Sequence, residues 1–257
     1  MAPDRPVVRE WGAGGRPLLF WPGLSPWGEL QLVEVGPELA DRGFHVLSIA
    51  PPILDDPYAY LPSRLAQHAI SIAEEREIER FVFMGHSWGG SIGVHLAAAN
   101  PDRVERLVLL DAGYADVELE KTVDELVVDF EADQAGFEFE TWDDFFAWVP
   151  TRVRNWRPSL EPRYREGMVE RDGKIVARPP ARIAAWALRG LALEPPSSTW
   201  QRIRVPVLLL VSSENTRDLE PFRQGVQDAR IEVVDSGHDL VEDVPDRVVA
   251  LVAQPDG

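Results

Sequence analysis

The run Gly85-His86-Ser87-Trp88-Gly89-Gly90 constrains this chain more than any other feature. It follows directly on the apolar stretch Arg80-Phe81-Val82-Phe83-Met84 and precedes a helical pattern from Ser91 to Ala99, stopped by Asn100–Pro101. A strand that turns sharply into a helix needs neighbours without side chains, because backbone meets backbone at the turn. The residue at the apex is held in a strained conformation, and the free N–H groups of the helix N-terminus point at the same spot. A serine there presents its hydroxyl at the carboxyl end of a sheet, so Ser87 is the candidate nucleophile.

The rest of the chain repeats the strand-then-helix rhythm. Short apolar runs occur at Leu18–Trp21, Phe44–Ile49, Phe81–Met84, Leu107–Leu110, Val207–Val211 and Ile231–Val234. They are nearly continuous rather than alternating, as strands covered on both faces are. Helical patterns fall around residues 28–42, 60–79, 89–99 and 244–253. The alternation predicts an α/β fold with a mostly parallel central sheet flanked by helices.

That rhythm stops between about 114 and 198, which predicts an inserted, mainly helical cap. The core would then comprise residues 1–113 and 199–257, with 114–198 as the insertion. Thr122 with Glu125 reads as a capping box, and Thr141 with Asp144 starts a second helix through Phe145, Phe146, Trp148 and Val149. Pro179–Pro180 opens a third, through Ile183, Trp186 and Leu188, closed by Gly190. Asp172–Gly173, midway between Met168 and Ala177, marks a tight hairpin.

Composition narrows the function classes. The 257 residues suit one large domain with a substantial core. A net charge of −17 repels nucleic acid and anionic lipid, so neither is an expected partner. The chain has no cysteine, which excludes disulfides and thiolate chemistry. The five histidines are scattered and no metal-binding spacing occurs, so no metal and no cofactor are expected. No apolar stretch has signal-peptide or membrane-span length, and a cytoplasmic protein acting on a small molecule is expected. Nothing points to a particular oligomeric state.

The run Phe81-Val-Phe-Met-Gly-His-Ser-Trp-Gly-Gly-Ser91, continuing through Ala97-Ala-Ala-Asn-Pro-Asp-Arg-Val-Glu-Arg-Leu-Val-Leu-Leu-Asp111, resembles the α/β-hydrolase superfamily, which includes serine esterases. The resemblance covers nearly the whole chain except 114–198, which matches that family's variable cap in position. It implies that His238, in Asp235-Ser-Gly-His-Asp, lies on the family's Gly-His loop as the general base. His86 packs or hydrogen-bonds within the elbow, while His45, His68 and His95 are structural. The family's usual acid position falls on or near Asn215, which carries no charge. Asp111, at the end of the preceding strand, is therefore the first candidate acid, with Glu214 and Asp218 as alternatives. The oxyanion hole implied by the resemblance uses the N–H groups of Trp88 and Leu24, the latter in Trp21-Pro22-Gly23-Leu24-Ser25, where Pro22 replaces the usual His.

Relatives that open epoxides or cleave carbon–halogen bonds use an Asp nucleophile, whereas a serine implies acyl chemistry on an ester, thioester or lactone. The insertion is rich in aromatics: Phe130, Phe137, Phe139, Trp142, Phe145, Phe146, Trp148, Trp156 and Trp186. Trp148, Trp186 and Phe146 are candidates for an apolar substrate pocket, and the alternative is that such residues form the insertion's own core. Other uses of the same fold are a carbon–carbon hydrolase or lyase, a perhydrolase-like enzyme, or a non-catalytic small-ligand receptor.

Overall fold

The computed structural model describes residues 8–25, 28–135, 138–177, 181–215 and 217–254. In chain order the first half runs β1 (Val8–Trp11), β2 (Arg16–Trp21), α1 (Val35–Asp41), β3 (Phe44–Ile49), α2 (Pro62–Glu75), β4 (Phe81–His86), α3 (Trp88–Ala99) and β5 (Val104–Leu110). The segment between the two halves holds α4 (Val123–Ala135), α5 (Trp142–Trp148), α6 (Glu161–Gly167), β6 (Met168–Arg171), β7 (Lys174–Ala177) and α7 (Ala181–Leu193). The chain ends with β8 (Val207–Ser212), α8 (Glu220–Gly225), β9 (Ala229–Val234), α9 (Leu240–Asp243) and α10 (Pro245–Val252).

Seven strands form one sheet in the order β1-β3-β2-β4-β5-β8-β9. All neighbours are parallel except β1, which pairs antiparallel with β3 at one edge. Successive side chains of a strand point to opposite faces, and β2 shows both. Leu19 and Trp21 join the apolar cluster built with α2 and α3, while Leu18 and Phe20 join the one built with α1 and α10. Both faces are thus covered, which accounts for the unbroken apolar runs.

The expected helix over 28–42 is split. Ser48 Oγ donates to the Glu29 carbonyl at 2.8 Å, the acceptor that an α-helical N–H of residue 33 would use. Val33 N–H bonds Leu30 O instead, and residues Gly28–Leu32 wind as a tighter 3₁₀ turn before α1. Edge strand β1 and the short helices α6, α8 and α9 carry too little periodicity to be read from sequence.

In the intervening segment the capping pairs form. Thr122 N–H donates to Glu125 Oε2 at 2.8 Å, and Thr141 Oγ1 accepts from Asp144 N–H at 3.1 Å. Asp172 and Gly173 both adopt positive φ between β6 and β7, as a two-residue hairpin requires. Helix α7 does not close at Gly190 but runs on to Leu193. Gly190 is there for approach, since a Cβ would stand 2.3 Å from the Tyr60 carbonyl oxygen. Pro179–Pro180 and Phe137 lie outside the described residues. No helix among the described residues is long and apolar enough to cross a membrane.

Candidate functional site

Five neighbouring parallel strands, β2, β4, β5, β8 and β9, end on the same edge of the sheet. Their carboxyl ends lead into Pro22–Ser25, Ser87, Asp111, Ser213–Asn215 and Asp235–His238, the general location of sites in open α/β sheets. Ser87 sits between β4 and α3 at φ 51°, a conformation that L-residues rarely adopt. The turn closes because Gly89 has no Cβ; one there would lie 2.1 Å from the Trp21 carbonyl oxygen. Trp88 is the first residue of α3, so its N–H has no acceptor within the helix.

Asp111 follows β5, also at positive φ (47°), and is 8% exposed. His238 Nδ1 lies 2.7 Å from Asp111 Oδ2. A carboxylate only accepts, so the Nδ1 position carries the proton, and in the neutral ring the lone pair is on Nε2. The other carboxylate oxygen accepts from Tyr114 OH at 3.0 Å, Ser212 N–H at 3.1 Å and Asn215 Nδ2 at 3.3 Å. Burial by itself would raise the Asp111 carboxyl, but the hydrogen bonds from His238, Ser212 and Tyr114 outweigh it and hold it below its ordinary value. The hydrogen bond to Asp111 in turn raises the His238 imidazole above its ordinary value, against desolvation.

The other two carboxylates stand elsewhere. Glu214 is exposed and pairs with Arg154 at 2.8 Å, and Asp218 caps a turn by accepting from Glu220 N–H at 2.9 Å. Asn215, at the family's usual acid position, donates to Asp111 rather than replacing it.

The loop after β2 lies against the elbow, for a Cβ on Gly23 would stand 3.1 Å from Ser87 Cβ. Gln31, a residue the sequence offered no reason to select, ties that loop down. Its Oε1 accepts from Gly23 N–H at 3.0 Å and its Nε2 donates to Ser25 Oγ at 3.2 Å. Gln31 Oε1 also stands 3.3 Å from His86 Nδ1, and His86 Nε2–H donates to the His238 carbonyl at 2.9 Å. Burial holds the His86 imidazole below its ordinary value. Gln31 thus fixes the loop bearing Leu24, and His86 ties the elbow to the turn bearing His238. Chemically, an imidazole fixed at Nδ1 by a buried carboxylate is competent to take a proton at Nε2.

The aromatics of the intervening segment divide. Phe146 and Trp148 belong to a separate apolar cluster with Phe139, Trp142 and Phe145, so the structure places them in that segment's own core. Trp186, on α7, packs on the main core: its ring is 5.8 Å from Tyr60, which stacks on Trp88 at 6.4 Å. A cavity of about 360 Å³ opens beside α2, lined among others by Leu54, Tyr58, Arg64 and His68 and by none of the three expected pocket aromatics. Among the described residues no group of three or more metal-ligating side chains gathers.

Two relatives align with part of the chain. The 2-hydroxymuconate semialdehyde hydrolase of Pseudomonas sp. (strain CF600) is 36% identical over 96 residues, 35% of this chain and 32% of that protein. A putative non-heme haloperoxidase of Mycobacterium phage D29 is 33% identical over 102 residues, 38% of this chain and 36% of that protein. The chain thus spans about a third of the length of these two relatives. The enol-lactonase from Burkholderia xenovorans LB400 superposes with a TM-score of 0.74, covering 98% of this chain and 97% of that one. At 17% identity that likeness is one of fold. The model of the alpha/beta hydrolase family matches residues 18–251. The chain belongs to the alpha/beta hydrolase family.

Proposed function

We propose that the protein is a serine hydrolase that cleaves a small, hydrophobic acyl substrate, a carboxylic ester, thioester or lactone, through an acyl-enzyme. The observation that carries this reading is the 2.7 Å contact between His238 Nδ1 and the buried carboxylate of Asp111, on the sheet edge where Ser87 sits at positive φ between β4 and α3. In this reading Ser87 Oγ attacks the acyl carbon while His238 Nε2 takes its proton. Asp111 holds the imidazole in the right tautomer and balances its charge. The N–H groups of Trp88 and Leu24 receive the oxyanion, each contributing on the order of 10²–10³ in turnover. His238 then returns the proton to the leaving group and activates water for deacylation.

The insertion acts as a cap in this account, with Trp186 rather than Phe146 or Trp148 the aromatic that bears on acyl preference. A carbon–carbon bond beside a carbonyl is the second substrate class, favoured by the similarity to 2-hydroxymuconate semialdehyde hydrolase. The test is hydrolysis of p-nitrophenyl esters of increasing acyl length by wild type and Ser87→Ala. Turnover that vanishes in the variant is expected; turnover that survives removes Ser87 as nucleophile.

A further inference from the structure

Four residues beyond His238, Glu242 is buried in α9, only 4% exposed. Its partners come from α6 of the inserted segment. Tyr164 OH donates to Glu242 Oε1 at 2.6 Å, and Arg163, 5% exposed, stands 3.3 Å from Oε2. The same segment also grips the backbone of α9. Arg157 Nη1 donates to the Glu242 carbonyl at 3.1 Å and Asn155 Nδ2 to the Asp243 carbonyl at 2.9 Å. Within the turn, Asp243 Oδ2 accepts from Gly237 N–H at 2.7 Å, and Leu240 N–H bonds His238 O. Residues 237–243 are therefore bonded to one another, and that turn is fastened to residues 155–164.

A buried ion pair is a poor source of stability, because desolvating both charges offsets their attraction, and apolar side chains of equal volume would hold the segment as firmly. The best-attested use of such a buried pair is to fix one geometry. We propose that the Glu242–Arg163–Tyr164 cluster is a positioning device through which the inserted segment holds His238 against Asp111, so that placement of the base depends on docking of that segment. The proposal rests on the reading of His238 as the general base. Charged and titratable groups facing Glu242 are Arg163, Tyr164 and Arg157 from the insertion and Asp239 from its own turn; those facing His238 are Asp111, Asp239 and His86.

The test compares wild type with the double variant Arg163→Met/Glu242→Gln, which removes both charges and leaves no buried charge unpaired. The readouts are the His238 imidazole titration by NMR, assigned against His238→Asn, and kcat and KM on a p-nitrophenyl ester. Loosening the contact with Asp111 is expected to lower the His238 pKa by about half a unit or more. It should also lower kcat about ten- to a hundredfold with KM nearly unchanged. Arg163→Lys, which keeps the charge, should retain most of both. A double variant that melts earlier while His238 titrates and turns over as in wild type overturns the proposal. If wild-type turnover proves independent of Ser87, the functional reading fails, and the imidazole titration alone still decides the positioning.

Discussion

Asp111 accepts from Tyr114, Ser212 and Asn215 on one oxygen and from His238 on the other. Such a carboxylate is saturated and stays ionised, and its effect on His238 has a definite sign. His238 must be neutral to act as a base, and its pKa is raised by Asp111. The acid limb of kcat/KM should therefore lie above the pH of an unperturbed imidazole. Asp111→Asn removes the group that raises it, so the limb should move to lower pH while kcat falls by on the order of 10³–10⁴. A pH–rate profile of both proteins checks this. Asn215 offers a second test, because it stands 3.3 Å from the same carboxylate. In the Asp111→Asn background, Asn215→Asp returns a carboxylate to the family's usual position and should recover part of the lost kcat. In the wild-type background the same change sets two carboxylates side by side, raising the pKa of one, and should reduce kcat instead.

At the scale of elements, the inserted segment is held by packing and by polar pairs. Helix α7 lies on Tyr60 with Gly190 at the point of closest approach, its ends tied by Arg182 to Asp55 and by Glu194 to Ser63. The part from α5 to β7 has its own core and is fastened by polar pairs to α9 and to Glu34. Gly190→Ala forces a methyl against backbone and should cost about 1–3 kcal/mol, read as a lower Tm. Trp148→Ala should lower Tm with acyl preference unchanged, since its ring packs within the insertion. Trp186→Ala should shift the preferred acyl length, measured across the same ester series. The helices of this segment were legible where a cap sits in the sequence, as at Thr122 and Thr141. Which aromatics face the core was not, because helical periodicity records that a face is buried and not against what.

For the whole molecule, the architecture was legible because parallel strands buried on both faces must be apolar throughout, and the elbow needs its glycines wherever it occurs. The sequence ranked Asp111 ahead of Glu214 and Asp218 but could not show its contact with His238, which depends on the strand order β5-β8-β9. Glu242 was invisible for the same reason, as its partners Arg163 and Tyr164 are remote in sequence. The charge of −17 acts at this scale too. It should slow the approach of anionic esters, so their kcat/KM should rise as salt screens the field over about 10 Å at 0.1 M. Neutral esters of the same acyl chain should show little change.

The proposed role of Ser87, a nucleophile driven by His238, can be read directly. A fluorophosphonate traps such a serine covalently, and intact-protein mass with peptide mapping locates the adduct. One adduct on Ser87 is expected in wild type, none in Ser87→Ala, and labelling slowed by on the order of 10² or more in His238→Ala. An unlabelled wild type, an adduct at another residue, or labelling of Ser87 indifferent to His238 would contradict it.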